Sequence, residues 1–414
     1  MKSCISFGLF SLSLLLSAHP AVGQFSGFVS GSYGYNSNPL YNYAAAPDRL
    51  TEGYIELSYT EEAPFSRLFI GYVGGLMLFD SNAERSYYEH RFAGSFTKRL
   101  TNRSANHTGE NPGDVDSMSS YLDAGLTLGM RHDKATYQEY DNVGVDGYGA
   151  YRFRTGGLTY ARLVGDVGYR GYPNVQDLSN VTGTLPTYLG MRSYPTLDAG
   201  LLLFAGVKHF ANATYDTTVF ATSSGNGKGK GQGQGQGQGQ GGSNKQGTLV
   251  NATTTTTYQL AVGLFVDKTW VTRGFSANFI YRYNPSTGSR YVAQYPRSTI
   301  LTEDIYNDYF DYQGPGLKFV FRQRLPLEIQ ATFSAEGEIK KFNGPALDLA
   351  GNETASTRND VCGMVDLLLS KDVPLSAAVS LTAGMSAGTL RNQSNDAYHD
   401  YSGFRVSLSL GLGF

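Results

Sequence analysis

Disulfides, tryptophan, charge imbalance and long apolar runs are all scarce in this 414-residue chain. Of its two cysteines, Cys4 lies in the first few residues, so a chain that loses its N-terminus keeps only Cys362 and can form no internal disulfide. The formal charge of −2 gives no reason to expect nucleic acid as a partner, or strong steering of charged ligands. Past the N-terminus, no apolar stretch approaches the ~20 residues of a membrane-crossing helix. Histidine is sparse too. His90, His107, His132, His209 and His399 are scattered, and no Gly-x-Ser-x-Gly, helical His-x-x-x-His or cysteine pair accompanies them. His399 with Asp396 and Asp400 is the one grouping suited to a rim active site or metal site, but no serine or third ligand stands at a fixed spacing from it. These absences argue against an enzyme, and no motif calls for a cofactor.

What the chain does have begins with an export signal. Lys2 is followed by the apolar run Ile5 to Leu16 and by Ala21-Val22-Gly23, a small-x-small site, so residues 1–23 read as a signal peptide cleaved before Gln24. The rest holds most of the 51 glycines, 30 tyrosines and 23 phenylalanines.

Alternation runs from end to end. The terminal stretch sets Phe404, Val406, Leu408, Leu410, Leu412 and Phe414 against Arg405, Ser407, Ser409, Gly411 and Gly413. Strand side chains alternate with period two, so this is a ribbon with one apolar and one polar side. Leu327, Ile329, Ala331 and Phe333 oppose Glu328, Gln330, Thr332 and Ser334 in the same way. Such segments recur sixteen times, near 25–35, 52–60, 67–79, 86–97, 120–131, 144–155, 157–170, 179–192, 196–210, 253–266, 273–284, 306–323, 327–341, 360–370, 375–390 and 401–414. A turn at Thr155-Gly156-Gly157 would set Arg152 opposite Tyr160, Ala150 opposite Arg162 and Asp146 opposite Asp166, with polar sorted to one face.

An exported chain of alternating strands ending in an aromatic residue resembles bacterial outer-membrane β-barrels, and its charged inner face resembles that of porins. The resemblance implies an all-β fold: one antiparallel transmembrane barrel over 24–414, of about sixteen strands, with fourteen or eighteen if a pair is miscounted. It implies the outer membrane of a diderm bacterium, with both termini and the short turns periplasmic and the longer connections outside. Connection lengths follow that parity except at 97–119, a polar stretch that the count places on the periplasmic side. The implied partners are outer-membrane lipid and lipopolysaccharide, and the barrel-assembly machinery and periplasmic chaperones, which would read Phe414. A homo-oligomer is compatible with the resemblance.

Alternation then assigns charges to the lumen. Arg131, Arg152, Arg154, Arg162, Asp146, Asp166, Glu336, Glu338 and Lys340 all fall on the polar side. Charge at that density needs water or partners. An arginine row across from a glutamate row would orient polar solutes in passive diffusion; local salt bridges that fill the lumen are the alternative, and would suit a plugged barrel working through its loops. Tyrosines cluster near strand ends, as in interfacial girdles, although Tyr306, Tyr309 and Tyr312 fit no single strand face. Residues 225–247, a Gly/Lys and Gly/Gln repeat, have too little apolar area to fold and read as a disordered external loop.

Overall fold

The computed structural model describes residues 23–39, 47–100, 120–155, 158–174, 176, 179–193, 196–210, 255–286, 309–348, 353–397 and 399–414. The signal segment up to residue 22, the Gly/Gln repeat and most of the 97–119 stretch lie outside them.

Seventeen β segments build the wall: β1 (Gly23–Asn36), β2 (Asp48–Ala63), β3 (Ser66–Phe79), β4 (Tyr87–Arg99), β5 (Tyr121–Asp133), β6 (Asn142–Arg154), β7 (Thr159–Gly171), β8 (Asn180–Thr184), β9 (Thr187–Ser193), β10 (Leu197–Phe210), β11 (Thr256–Thr269), β12 (Arg273–Tyr283), β13 (Tyr312–Arg324), β14 (Gln330–Leu347), β15 (Glu353–Pro374), β16 (Ser380–Ser394) and β17 (Tyr401–Gly413). β8 and β9 are two halves of one strand. Both pair with β7 on one side and β10 on the other. The break falls at Leu185-Pro186, where proline has no N–H for the ladder. Sixteen antiparallel staves therefore form the ring, as the alternation predicted.

The ring closes between β1 and β17, with Val29 opposite Leu412 and Tyr33 opposite Leu408. Gly27 and Phe414 exchange backbone hydrogen bonds of 2.7 and 2.9 Å at this seam. A Cβ on Gly27 would come within 2.4 Å of the Phe414 ring, so the terminal aromatic lies over a position only glycine leaves clear. Closure matters physically because it leaves no unpaired edge, the one way strands can cross lipid.

An apolar belt covers the outside. Leu126, Leu128, Val167, Leu203, Leu264, Leu317, Val365, Leu408 and Leu410, from strands all round the ring, are exposed large apolar residues. No soluble protein of this kind would leave so continuous a band in water, so the belt faces membrane. The staves range from 11 residues in β12 to 22 in β15, and only about 9–11 are needed to cross.

Four expectations need correction. The β6–β7 hairpin is registered two residues away from the predicted pairing: Arg152 faces Arg162, Tyr148 faces Asp166, and Asp146 faces Gly168. The predicted register left Gly156 alone at the tip, below the two-residue minimum of common hairpins. In the structure Thr155 N–H bonds Thr159 O at 3.1 Å, which closes a longer connection than the predicted one. An even shift keeps every side chain on its face. Second, Leu327 does not start a strand. Leu327 and Glu328 both take φ of 62° in a turn closed by Leu325 N–H to Ile329 O at 2.7 Å. Third, β13 starts at Tyr312 and not at 306. Fourth, β14 and β15 extend well into the expected 342–359 loop. Their pairing passes two register shifts around Pro345, which hides the period-two signal there.

Candidate functional site

The charges that alternation assigns to the lumen lie on the strand face opposite the exposed apolar belt, and they separate into distinct neighbourhoods. The most ordered is a single cross-strand row. Tyr121 on β5 is opposite Arg152 on β6, Arg152 is opposite Arg162 on β7, and Arg162 is opposite Tyr188 on β9. Arg152 also stacks over the Tyr160 ring at 4.1 Å and approaches Tyr121 at 5.8 Å, while Arg162 lies 5.8 Å from Tyr188. Arg152 is only 8% exposed. Among the described residues neither Arg152 nor Arg162 has a carboxylate at ion-pair distance. Like charges directly opposite on neighbouring strands repel, and here aromatic faces supply the compensating contact.

A partner cluster borders the row. Tyr160 hydroxyl donates to Asp198 at 2.9 Å, and Arg192 pairs with the same carboxylate through Nε at 2.9 Å. Arg192 thus has its own counterion and Arg152 does not. Arg154, at the end of β6, is exposed and stands outside the row. Higher on the same wall Asp146 lies 3.9 Å from Arg170, and Asp166 accepts from Thr184 at 2.9 Å.

The acidic residues are not bare. Glu338 on β14 takes hydrogen bonds from Arg282 at 2.9 Å and Tyr312 at 3.3 Å, with Lys340 at 3.2 Å. Glu336 has Lys318 at 3.6 Å. These two carboxylates sit among three bases, which leaves no acidic wall there. β14 lies seven staves from β6 round the ring of sixteen, one short of diametric. Their heights differ. Arg152 is two residues from the short-turn end of β6, whereas Glu338 is eight from that end of β14. The expected rows therefore stand on nearly opposite walls without meeting in one plane.

Arg131 is a rim fixture. Its guanidinium makes two 2.7 Å hydrogen bonds to Asp133 and lies 3.8 Å over Tyr87. The His399 grouping is also structural. His399 Nδ1 is 2.8 Å from Asp396, but Asp400 pairs with Arg391 at 2.9 Å instead. Asp360 beside them binds Arg358 at 2.5 Å and accepts from Ser394 and Asn392 at 2.5 and 3.2 Å. This network tucks residues 395–397 and 399–400 against the wall at the long-loop end. The described residues hold no cluster of three or more potential metal-ligating side chains.

Burial, then the Arg358 charge, push the His399 imidazole below its ordinary value, against the opposing pull of Asp396. Geometry alone would allow an ion pair with Asp396. Full burial beside a guanidinium favours a neutral ring whose Nδ1–H donates to the carboxylate.

Alternation places Tyr160 on the polar face beside Arg152, but the sequence reading gives Tyr121 and Tyr188 no part in an arginine row. Tyr160 shares its parity with Arg162 on β7, and Tyr188 with Arg192 on β9, which is the signal in the sequence for those two.

No family model matches the chain, and no curated protein does. Among solved structures it is similar to OccK1 (OpdK) of Pseudomonas aeruginosa, at TM-score 0.44 and 9% identity over 95% of this chain and 99% of that one. OpdQ of the same organism gives 0.42 and 8% over 95% and 98%, and OpdO gives 0.40 and 11% over 95% and 97%.

Proposed function

We propose that this chain is a channel of the bacterial outer membrane, passing small polar solutes by passive diffusion with a preference for anions. The observation that carries this reading is the Tyr121–Arg152–Arg162–Tyr188 row, two inward guanidinium groups with no carboxylate at ion-pair distance among the described residues. Its setting supports the reading: a closed ring of sixteen staves, apolar outside and charged inside, a size at which barrels commonly keep an aqueous bore. The orientation proposed with it puts the short turns and both termini in the periplasm, after removal of residues 1–23. Phe414 then serves as the terminal signal for periplasmic chaperones and the assembly machinery. Lipid and lipopolysaccharide surround the belt, and a homo-oligomer is compatible with it.

The test is conductance in planar bilayers of refolded protein, followed by reversal potential in a salt gradient. Ion-conducting steps with an anion-selective potential are expected, and Arg152→Ala with Arg162→Ala should move that potential toward cation selectivity. Intact barrel circular dichroism without any conducting steps would sink the channel reading. A plugged barrel is the second reading, favoured by Thr257 and Gln259, lumen-face residues that are 0% exposed.

A further inference from the structure

The apolar belt on the outside of the ring has a trough in it. Across β4 to β7 the outer wall carries a mostly apolar groove of about 530 Å³. One cross-strand row runs through it, with Phe96 opposite Ala124, Ala124 opposite Gly149, and Gly149 opposite Gly165. The neighbouring row is bulky: Leu122 is opposite Tyr151, and Tyr151 is opposite Leu163. All three of those side chains are exposed on the lipid face, as is Leu185, which lines the groove beside the break between β8 and β9. A floor of small residues beside a ridge of large ones makes the trough.

Among the described residues, no side chain covers the floor. A Cβ on Gly149 would meet nothing within 4 Å, and one on Gly165 would meet Leu185 at 3.7 Å. Other lipid-face glycines are overlaid by a ring: a Cβ on Gly74 would lie 2.6 Å from the Tyr72 hydroxyl, and one on Gly171 would lie 2.8 Å from that of Tyr169. Glycine inside a strand forfeits packing and often marks where a ligand comes close. One charge lines the groove on the lipid face. Lys98, the last residue but one of β4, is opposite Leu122 and has no carboxylate at ion-pair distance among the described residues. The floor rises away from it. Counted from the strand ends on the side of the short turns, Ala124 is three residues up β5, Gly149 five up β6 and Gly165 six up β7, each strand being 13 residues long. A cation thus stands at headgroup depth, with an apolar slot leading from it toward mid-membrane.

We propose that this groove holds one acyl chain of an anionic phospholipid of the periplasmic leaflet, with the lipid phosphate at Lys98. The inference rests on the orientation proposed above, which puts the short turns on the periplasmic side and lipopolysaccharide in the other leaflet. The charge of Lys98 complements a phosphate, and a flexible chain can follow a floor that slants across three strands. A second barrel would bring a convex wall to the groove and leave most of it empty.

The experiment is native mass spectrometry of the full mature chain, refolded in detergent and titrated with dioleoylphosphatidylglycerol, with dioleoylphosphatidylcholine and lipopolysaccharide as competitors. Gly149→Leu fills the floor and keeps Lys98, whereas Lys98→Gln removes the charge and keeps the floor. Gly363→Leu is the matched control: it lies on the lipid face of β15 between Val361 and Val365, and a Cβ there also meets nothing within 4 Å. Heat-modifiable migration on gels confirms folding in each case. The parent should retain one phosphatidylglycerol in preference to either competitor. Gly149→Leu should lose it, Lys98→Gln should bind it about five-fold more weakly, and Gly363→Leu should bind it as the parent does. Unchanged binding in Gly149→Leu, or an equal loss in Gly363→Leu, overturns the groove as a site. Equal retention of phosphatidylcholine, or unchanged binding in Lys98→Gln, overturns the anionic ligand. A preference for lipopolysaccharide overturns the periplasmic assignment and the orientation with it. A parent dimer that Gly149→Leu dissolves, with no lipid retained, gives the groove to a second copy and overturns the proposal. The measurement needs no conduction, so it and the channel reading fail separately.

Discussion

His399 and its neighbours show how a titratable side chain becomes a structural one. Burial and Arg358 hold the imidazole below its ordinary value of 6.5, so the closed 395–400 connection contains a neutral ring. When the connection opens, the ring regains its ordinary affinity for protons. The open form therefore takes up a proton first as pH falls below about 6.5, and the closed form loses relative stability on acidification. After correction for the intrinsic slowing of exchange in acid, amides at 395–397 and 399–400 should be less protected at about pH 5 than at about pH 7, and His399→Asn should remove most of that difference. Equal protection at both pH values would falsify the neutral, buried assignment. Arg358 is the more costly residue to lose, because its partner Asp360 is 1% exposed. Breaking such a pair costs about 3–5 kcal/mol when one charge is left behind.

At the scale of the strand, the seam between β1 and β17 decides whether a sheet becomes a barrel. Phe414 contributes backbone bonds to Gly27 and a ring lying across it. Deleting Phe414 should reduce folded, heat-modifiable protein in the membrane while leaving export unchanged; normal folded levels would refute a role for the terminus in assembly. Gly27→Leu tests the packing alone, since it keeps Phe414 but puts a side chain where the ring lies. Less folded barrel is expected, with the band on unheated gels as the readout. The β6–β7 hairpin carries the opposite lesson about elements. Period-two alternation identified both strands and both faces, yet the pairing was read two residues away because turn length, not pattern, sets register. That slip is why the Arg152–Arg162 pair was invisible beforehand. Tyr160, which the sequence set opposite Arg152, stacks on it diagonally instead.

For the whole molecule, the ring bears the stability and the connections at its long end vary in length. Residues 225–247 join β10 to β11 with a repeat nearly devoid of apolar side chains. Their removal should leave heat resistance and barrel circular dichroism unchanged, and a large loss of either would mean that this connection packs. Strand number, closure and the lipid-facing set were legible in the sequence. Alternation is local: each residue's face depends only on its parity within a strand, and an even slip does not disturb it. What lies opposite what is non-local. It depends on every turn length and on where the last strand meets the first, so only the tertiary structure set Arg152 against Arg162, surrounded Glu336 and Glu338 with bases, and brought Phe310 beside Gly206.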